Sequence, residues 1–319
     1  MTTRGLRCAL RAMLLVLLVT TAAACGEYDR EADSRTGQQP QGAALRITLG
    51  TQEFPEARIL GELWRQALAV NGFTVNLRKG VGPAADLDRL LEAGDIDGHV
   101  AYTGTVLSVV AGRQVTGLDP EDTYRQAKEF YAGRDMAMSA MTPFQNKDAI
   151  ATTREFAQSR RLVSIADLRG VSGLRLGARP EFESLDLGLV GLRESYGLTD
   201  VEFTPLELGT QYTALDEGKV QAVNAFTTDP QLRSGGYTLL TDPKLLFGSQ
   251  NVVMTVRRQK LDSVGGKKFL AVVSAVNRRL TQSDMVDLNA DVTLGEPDEE
   301  VARRFLREAG LLEPIQLED

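Results

Sequence analysis

Residues 44–77 read ALRITLGTQEFPEARILGELWRQALAVNGFTVNL, and this stretch decides the fold. Ala44–Gly50 alternates apolar and polar side chains, the two-residue period of a half-buried strand. From Ala57 to Val70 the period changes. Ile59, Leu60, Leu63, Trp64, Ala67 and Leu68 recur at helical spacing and form one apolar face, which predicts a core-facing helix with Trp64 inside. Phe73–Leu77 returns to strand character. Leu87–Ala93 predicts a second helix, Gly94 stops it, and Ile96 opens another short strand. Strands alternating with amphipathic helices define α/β layers.

The same pattern recurs about 125 residues later. Leu174–Gly177 is strand-like, Leu187–Tyr196 is helical and ends at Gly197, and Val201–Thr204 is a strand. Tyr212–Gly218 is a further helix, and Val220–Phe226 leads into the loop Thr227-Thr228-Asp229. Two βαβ-type units therefore lie in one chain. Beyond them, Asn251–Val256 predicts a strong strand, and Lys267–Leu312 reads as mostly helical. The last helix opens at Glu296-Pro297-Asp298-Glu299-Glu300, with the proline and acids suited to a first turn.

Ahead of these units lies a segment of another kind. Arg4, Arg7 and Arg11 precede the apolar run Met13–Val19, small residues follow from Thr20 to Ala24, and then comes Cys25. The run is too short to span a bilayer and has the layout of a secretory signal, predicted as residues 1–24. Ala22-Ala23-Ala24-Cys25-Gly26 resembles a bacterial lipobox, with Ala22 where leucine is usual. That resemblance implies a lipidated Cys25; the alternative is an ordinary signal peptide cut near Cys25. The polar stretch to residue 43 reads as a flexible tether, 25–43.

Composition narrows the function. The 319 residues carry a formal charge of −7, and removing the three arginines ahead of Cys25 leaves −10. An acidic chain with no basic cluster makes a poor nucleic-acid partner. Cys8 and Cys25 are the only cysteines, so no disulfide is expected once the signal is gone. His99 is the only histidine, which excludes a Ser-His-Asp triad, a Cys-His pair and the usual histidine zinc sites. His99 itself reads as structural. No catalytic constellation, metal site or cofactor motif is expected.

Several short motifs then act together. They are Phe54-x-Glu56-x-x-Ile59-Leu60-Gly61-Glu62-Leu63, Gly94-Asp95-Ile96-Asp97 leading to Tyr102-Thr103-Gly104-Thr105, and Glu181-Phe182. Gly191-Leu192, Tyr196-Gly197-Leu198, Tyr212-x-Ala214-Leu215, Thr228-Asp229, Leu288-Asn289, Val301-Ala302 and Phe305-Leu306 complete the series. In this order and spacing the chain resembles the glycine betaine/choline-type substrate-binding lipoproteins of osmoprotectant ABC importers, over roughly residues 45–314. The resemblance implies a type II periplasmic-binding-protein fold: two α/β lobes, joined by two crossings, with a ligand cleft between. Lobe one would be 45–143 plus 241–319, and lobe two 144–240. It further implies a monomer on the extracytoplasmic face of the cell membrane, held by a lipid anchor. Its partners would be ABC permease and ATPase subunits, and its closed form would be the form they recognise. A sensor that presents its closed form to a signalling partner is the alternative.

The resemblance also supplies candidate ligand residues. In the family, a box of aromatic faces holds a quaternary ammonium that cannot donate hydrogen bonds, and basic groups with a threonine hold the carboxylate. Tyr102 stands at a box position, Thr105 at the threonine, and Phe226 replaces a box tyrosine. Asp148, beside Asn146, and Gln250 stand where tyrosines are expected. Gln52 replaces a lysine found in some members, Leu185 replaces an arginine after Glu181-Phe182, and Ala101 replaces the usual acid. Phe54 adds an apolar wall. The expected site is thus a reduced aromatic box without a cationic clamp, with Asp148 free to face a ligand cation. Apolar walls with neutral or acidic tips suit a hydroxylated aromatic or another uncharged or amine solute. The plainer readings are that Asp148 caps a turn, Gln250 lies on the surface, and Tyr102 and Phe226 are core.

Overall fold

The computed structural model describes residues 45–207 and 209–316. The predicted signal peptide (1–24), Cys25 and the tether (25–43) lie outside the described residues. The first unit runs β1 (Leu45–Gly50), α1 (Pro55–Val70), β2 (Phe73–Arg78), α2 (Ala84–Ala93) and β3 (Gly98–Tyr102). Pro55 occupies the first helical position, where its missing N–H costs nothing, and Glu56 places a carboxylate in the positive first turn. All six residues of the expected apolar face of α1 are buried. Trp64 is 1% exposed, and its indole N–H donates to Asn277 Oδ1 at 2.8 Å. Gly94 closes α2 at φ 83°, a conformation that glycine adopts without a Cβ clash.

The third strand starts at Gly98, two residues later than expected. Asp97 explains the delay. Its carboxylate accepts from Thr48 N at 2.8 Å and pairs with Arg257, drawing the chain into a turn before the strand begins.

After β3 the chain makes one tight helical turn, α3 (Thr103–Thr105), and a π turn (Val106–Val110). Then follow α4 (Pro120–Ala132) and β4 (Met136–Met138). The second unit comprises β5 (Asp148–Thr153), α5 (Arg154–Arg160), β6 (Arg175–Ala178), α6 (Leu189–Tyr196), β7 (Glu202–Pro205), α7 (Gln211–Asp216), β8 (Ala222–Phe226) and β9 (Tyr237–Leu240). The chain closes with β10 (Val252–Arg257), α8 (Arg258–Val264), α9 (Gly266–Arg279), α10 (Gln282–Thr293) and α11 (Asp298–Glu308).

Two five-stranded sheets result, ordered β2-β1-β3-β10-β4 and β7-β6-β8-β5-β9. Each has three parallel strands in the order second-first-third, and then one strand antiparallel to both of its neighbours. The two units seen in the sequence thus have the same topology. Both sheets are covered on both faces. Along β10, Val252, Met254 and Val256 pack with Trp64 and Phe269, while Val253 packs with Leu91 and Tyr131 on the opposite side. Ile150 and Ala151 divide in the same way between the two cores of the second sheet.

The chain passes between the sheets twice, from β4 to β5 and from β9 to β10. The two crossings touch. Gln145 and Asn251 form an antiparallel bridge, Asn146 N donates to Gln250 O at 3.1 Å, and Asn251 Nδ2 donates to Thr142 O at 2.9 Å. Outside the crossings, Arg233 after β8 pairs with Asp287 at 2.8 Å and Asp291 at 2.7 Å on α10. Among the described residues no helix is long and apolar enough to cross a membrane.

Candidate functional site

The ends of β3 and β8, the start of β5 and the loop after β1 meet at a cavity of about 550 Å³. In open α/β sheets the carboxyl ends of strands are the usual binding edge, because the loops there are free to carry side chains while the sheet holds them rigidly. Gln52 lies just past β1 and Tyr102 ends β3. Phe226 ends β8, and Arg179, which immediately follows β6, reaches Asp148 without lining the cavity itself.

The first sheet supplies buried Gln52 and Tyr102, beside which the exposed Glu53 and Phe54 also line the cavity. The Tyr102 hydroxyl donates to Glu56 Oε1 at 2.8 Å, and burial followed by the Glu56 charge holds that hydroxyl protonated. The Phe54 ring stands 5.9 Å from the Tyr102 ring at 41°. Gln52 is 6% exposed, and its Oε1 has no partner. Gln250 turns its Oε1 onto Thr105 N at 2.9 Å and Thr105 Oγ1 at 3.3 Å, which leaves its amide nitrogen for the cavity. Gly104 is required here, since a Cβ would come within 2.5 Å of Ser249 O.

The second sheet supplies a charged wall. Asp148 opens β5 directly opposite Phe226 in register. It accepts from Arg179 Nη1 at 2.9 Å and from Asn224 Nδ2 at 2.8 Å. The Arg179 guanidinium also stacks over Phe226 at 5.9 Å and Phe182 at 5.5 Å. Lys147 lines the cavity, its Nζ donating to Gly248 O at 3.3 Å. Burial pushes the Lys147 ammonium below its ordinary value, against the pull of Asp242.

Beneath the rings, Glu56 is 3% exposed. It also accepts from Asn146 Nδ2 at 3.0 Å and Asn289 Nδ2 at 3.0 Å. Burial raises its carboxyl above the ordinary value despite hydrogen bonds to Thr228, Asn289, Tyr102 and Asn146.

Eight of the nine residues expected at the site line this cavity: Gln52, Phe54, Tyr102, Thr105, Asn146, Asp148, Phe226 and Gln250. Leu185 does not. It is 40% exposed in the turn after Pro180–Glu183, where its Cβ packs against Gly188. Two expectations change with this geometry. Asp148 does not face the cavity as a free anion, because Arg179 neutralises it. Nor does the cavity lack a cation, because Lys147 is part of its lining. The sequence carried a signal for both residues: Arg179 follows a strand of the second unit as Gln52 follows one of the first, and Lys147 sits between two expected ligand residues. His99 is buried in β3 with its Nδ1 against Val100 O at 2.8 Å, and it is not among the lining residues.

Two α/β lobes, two crossings and a polar-aromatic cavity between the strand ends define a solute-binding protein of the type II periplasmic-binding-protein class. Within that class the chain belongs to the family described as the substrate binding domain of ABC-type glycine betaine transport system, whose sequence profile matches residues 46–308. Members of this family are extracytoplasmic solute-binding proteins of ABC transporters, not enzymes, and this chain is one of them. A glycine-betaine-binding protein of Pseudomonas aeruginosa is 30% identical over 290 residues, covering 86% of this chain and 91% of the relative. An ergothioneine transport permease/ergothioneine binding protein of Helicobacter pylori is 24% identical over 273 residues, covering 83% of this chain and 48% of that protein. Among solved structures, a glycine betaine/carnitine/choline ABC transporter protein superposes with a TM-score of 0.78 at 21% identity, covering 84% of this chain and all of that one.

Proposed function

We propose that this protein captures an amine-bearing organic solute and delivers it to an ABC import permease. The observation that carries this reading is the grouping of Phe54, Tyr102 and Phe226 with Lys147 in one cavity. Aromatic faces attract a methylated or protonated nitrogen, at about 0.5–2 kcal/mol each. Lys147 and Gln250 give the opposite end of the ligand an ammonium and an amide. A carboxylate, hydroxyl or thione suits that end. With three rings and a desolvated Lys147, glycine betaine itself is held more weakly than in a fuller box; one ring fewer corresponds to about tenfold in affinity. A hydroxylated aromatic amine fits the same walls.

We further assign lobe one to 45–143 plus 241–319 and lobe two to 144–240, closing about the paired crossings. In this reading the protein acts as a monomer tethered through a lipid on Cys25. Replacing Cys25 by alanine then moves it from the membrane fraction to the soluble one.

The ligand reading is tested by titration calorimetry on protein stripped by unfolding and refolding. The panel holds glycine betaine, choline, carnitine, tyramine and ergothioneine, the last chosen for the name of the H. pylori relative, beside the neutral polyols glycerol and sorbitol. Amine-bearing members are expected to bind, and Lys147→Met is expected to weaken only those carrying an anionic end. Binding confined to neutral polyols would overturn the assignment.

A further inference from the structure

Tyr102 and Phe226 line the cleft from two different sheets, so the gap between their faces depends on what joins the sheets behind them. On the first side, the Tyr102 hydroxyl donates to Glu56 Oε1 at 2.8 Å, and Glu56 stands in the first turn of the core-facing helix α1. On the second side, the chain folds into a closed turn. Asp229 N donates to Phe226 O at 3.1 Å, and Phe226 N donates back to Asp229 Oδ2 at 2.8 Å. That turn fixes Thr228, two residues beyond the ring, to the ring's own backbone.

Asn289 joins the two sides. It sits buried on α10 and does not line the ligand cavity. One of its amide hydrogens goes to Glu56 Oε2 at 3.0 Å and the other to Thr228 O at 2.9 Å. The amide orientation is fixed, because a backbone carbonyl can only accept. The Thr228 side chain also hydrogen-bonds Glu56. A continuous path thus runs from Tyr102 through Glu56, Asn289 and Thr228 to Phe226. The other contacts of α10 with this segment are of another kind. Gln282 Nε2 donates to Thr227 O at 2.9 Å, and Arg233 pairs with Asp287 and Asp291, but these contacts are more exposed and none involves Glu56 or Tyr102. Hydrogen bonds hold their partners within a few tenths of an ångström, whereas the pull of a ring on a cation requires approach to within about 6 Å of its centroid.

We propose that Asn289 is a positioning residue for solute selection: by tying Glu56 to Thr228 it fixes the gap between the Tyr102 and Phe226 faces, and so sets how large an ammonium head the cleft accepts. The inference rests on the amine reading of the cleft and adds to it the element that decides head size. Asn289 does this without touching the solute.

The test is titration calorimetry on the full chain with choline and its triethyl analogue, in which each N-methyl group is an ethyl group. Wild type is expected to prefer choline by at least about tenfold, because the wider head cannot approach both rings at contact distance. In Asn289→Leu, which keeps nearly the same shape and removes both donors, that ratio should fall toward one. Asn289→Gln keeps both donors on a stem one methylene longer. It should also lower the ratio, and it carries the test should Asn289→Leu not fold. Arg233→Gln releases the ion pairs on the same helix and leaves the Glu56 link intact, so it should keep the wild-type ratio. A wild type that binds both heads alike, or Asn289 variants that weaken both in proportion, overturns the positioning role and leaves the amine reading standing. A fall of the ratio in Arg233→Gln as large as in Asn289→Leu overturns it too, since any contact on α10 would then serve. Neither head bound by wild type overturns the amine reading and this inference with it.

Discussion

Tyr102 and Phe226 end the third strands of two sheets with the same order, and Gln52 and Arg179 follow the first strands. Equivalent positions thus carry opposite chemistry. The first sheet presents a buried tyrosine anchored to Glu56 and a neutral amide. The second presents a partly exposed ring under a guanidinium that is committed to Asp148. Tyr102 extends its lobe's core, whereas the second wall is a charge network laid on a smaller frame of strands of four to six residues and helices of six to eight. Ligand recognition and fold stability are therefore coupled on one side of the cleft and largely separate on the other.

The strongest test of that contrast is a pair of truncations. Tyr102→Ala should cost about 3–5 kcal/mol of stability, since it opens a core cavity and strips Glu56 of a donor. Phe226→Ala should cost markedly less, while both should abolish binding of an organic cation. Urea unfolding of the two variants checks this, and equal losses would break the comparison.

Next in size is Arg179→Met, which leaves Asp148 without its cation. The pair is about a fifth exposed, with side-chain values of 20% and 23%, so the expected cost is about 1–3 kcal/mol, below that of a dry pair. The freed carboxylate should at the same time tighten choline binding in calorimetry. A loss of stability without a gain for choline would mean that Asp148 acts only within its own sheet.

A third test uses pH. Burial raises the Glu56 carboxyl above 4.5, so the folded chain keeps a proton that the unfolded chain has released. The Glu56 contribution to stability should fall as pH rises from about 4.5 through the raised value, while buried His99, whose imidazole is held below its ordinary value, acts in the opposite direction. Glu56→Gln should remove the first contribution, leaving that of His99 and that of Asp229, whose raised carboxyl acts in the same direction as Glu56. Unfolding free energies measured across the acid-to-neutral range decide it, and parallel profiles for the two proteins would refute the coupling.

The smallest effect should come from Arg233→Gln. It removes an interlobe ion pair whose arginine side chain is 37% exposed, and the expected cost is at most about 1 kcal/mol, vanishing at high salt. A salt-independent loss would show that the lobes are held by more than the crossings.

The same asymmetry governed what the sequence disclosed. The helix of the first unit was legible because its apolar period continues unbroken from Ile59 to Leu68. The parallel strands of both units were legible as short runs between glycine stops. The antiparallel members β4, β5 and β9 and the helix α4 were not anticipated, because a strand's partner is set by where the chain returns in space. At the site, family resemblance located the lining residues but not their charges. Asp148 looked like a free acid because Arg179, which neutralises it, lies 31 residues further on. Glu56 stood within the first motif, but its role depends on Asn289, 233 residues away, and no local pattern reveals such a contact.

The bridge between Gln145 and Asn251 has one further consequence. Under the proposed closure about the crossings, the bridge sets the two connecting segments side by side and so puts the hinge in one place. Side chains at the strand ends lie apart from that bridge, so an exchange that suits them to a new solute leaves the hinge itself unaltered.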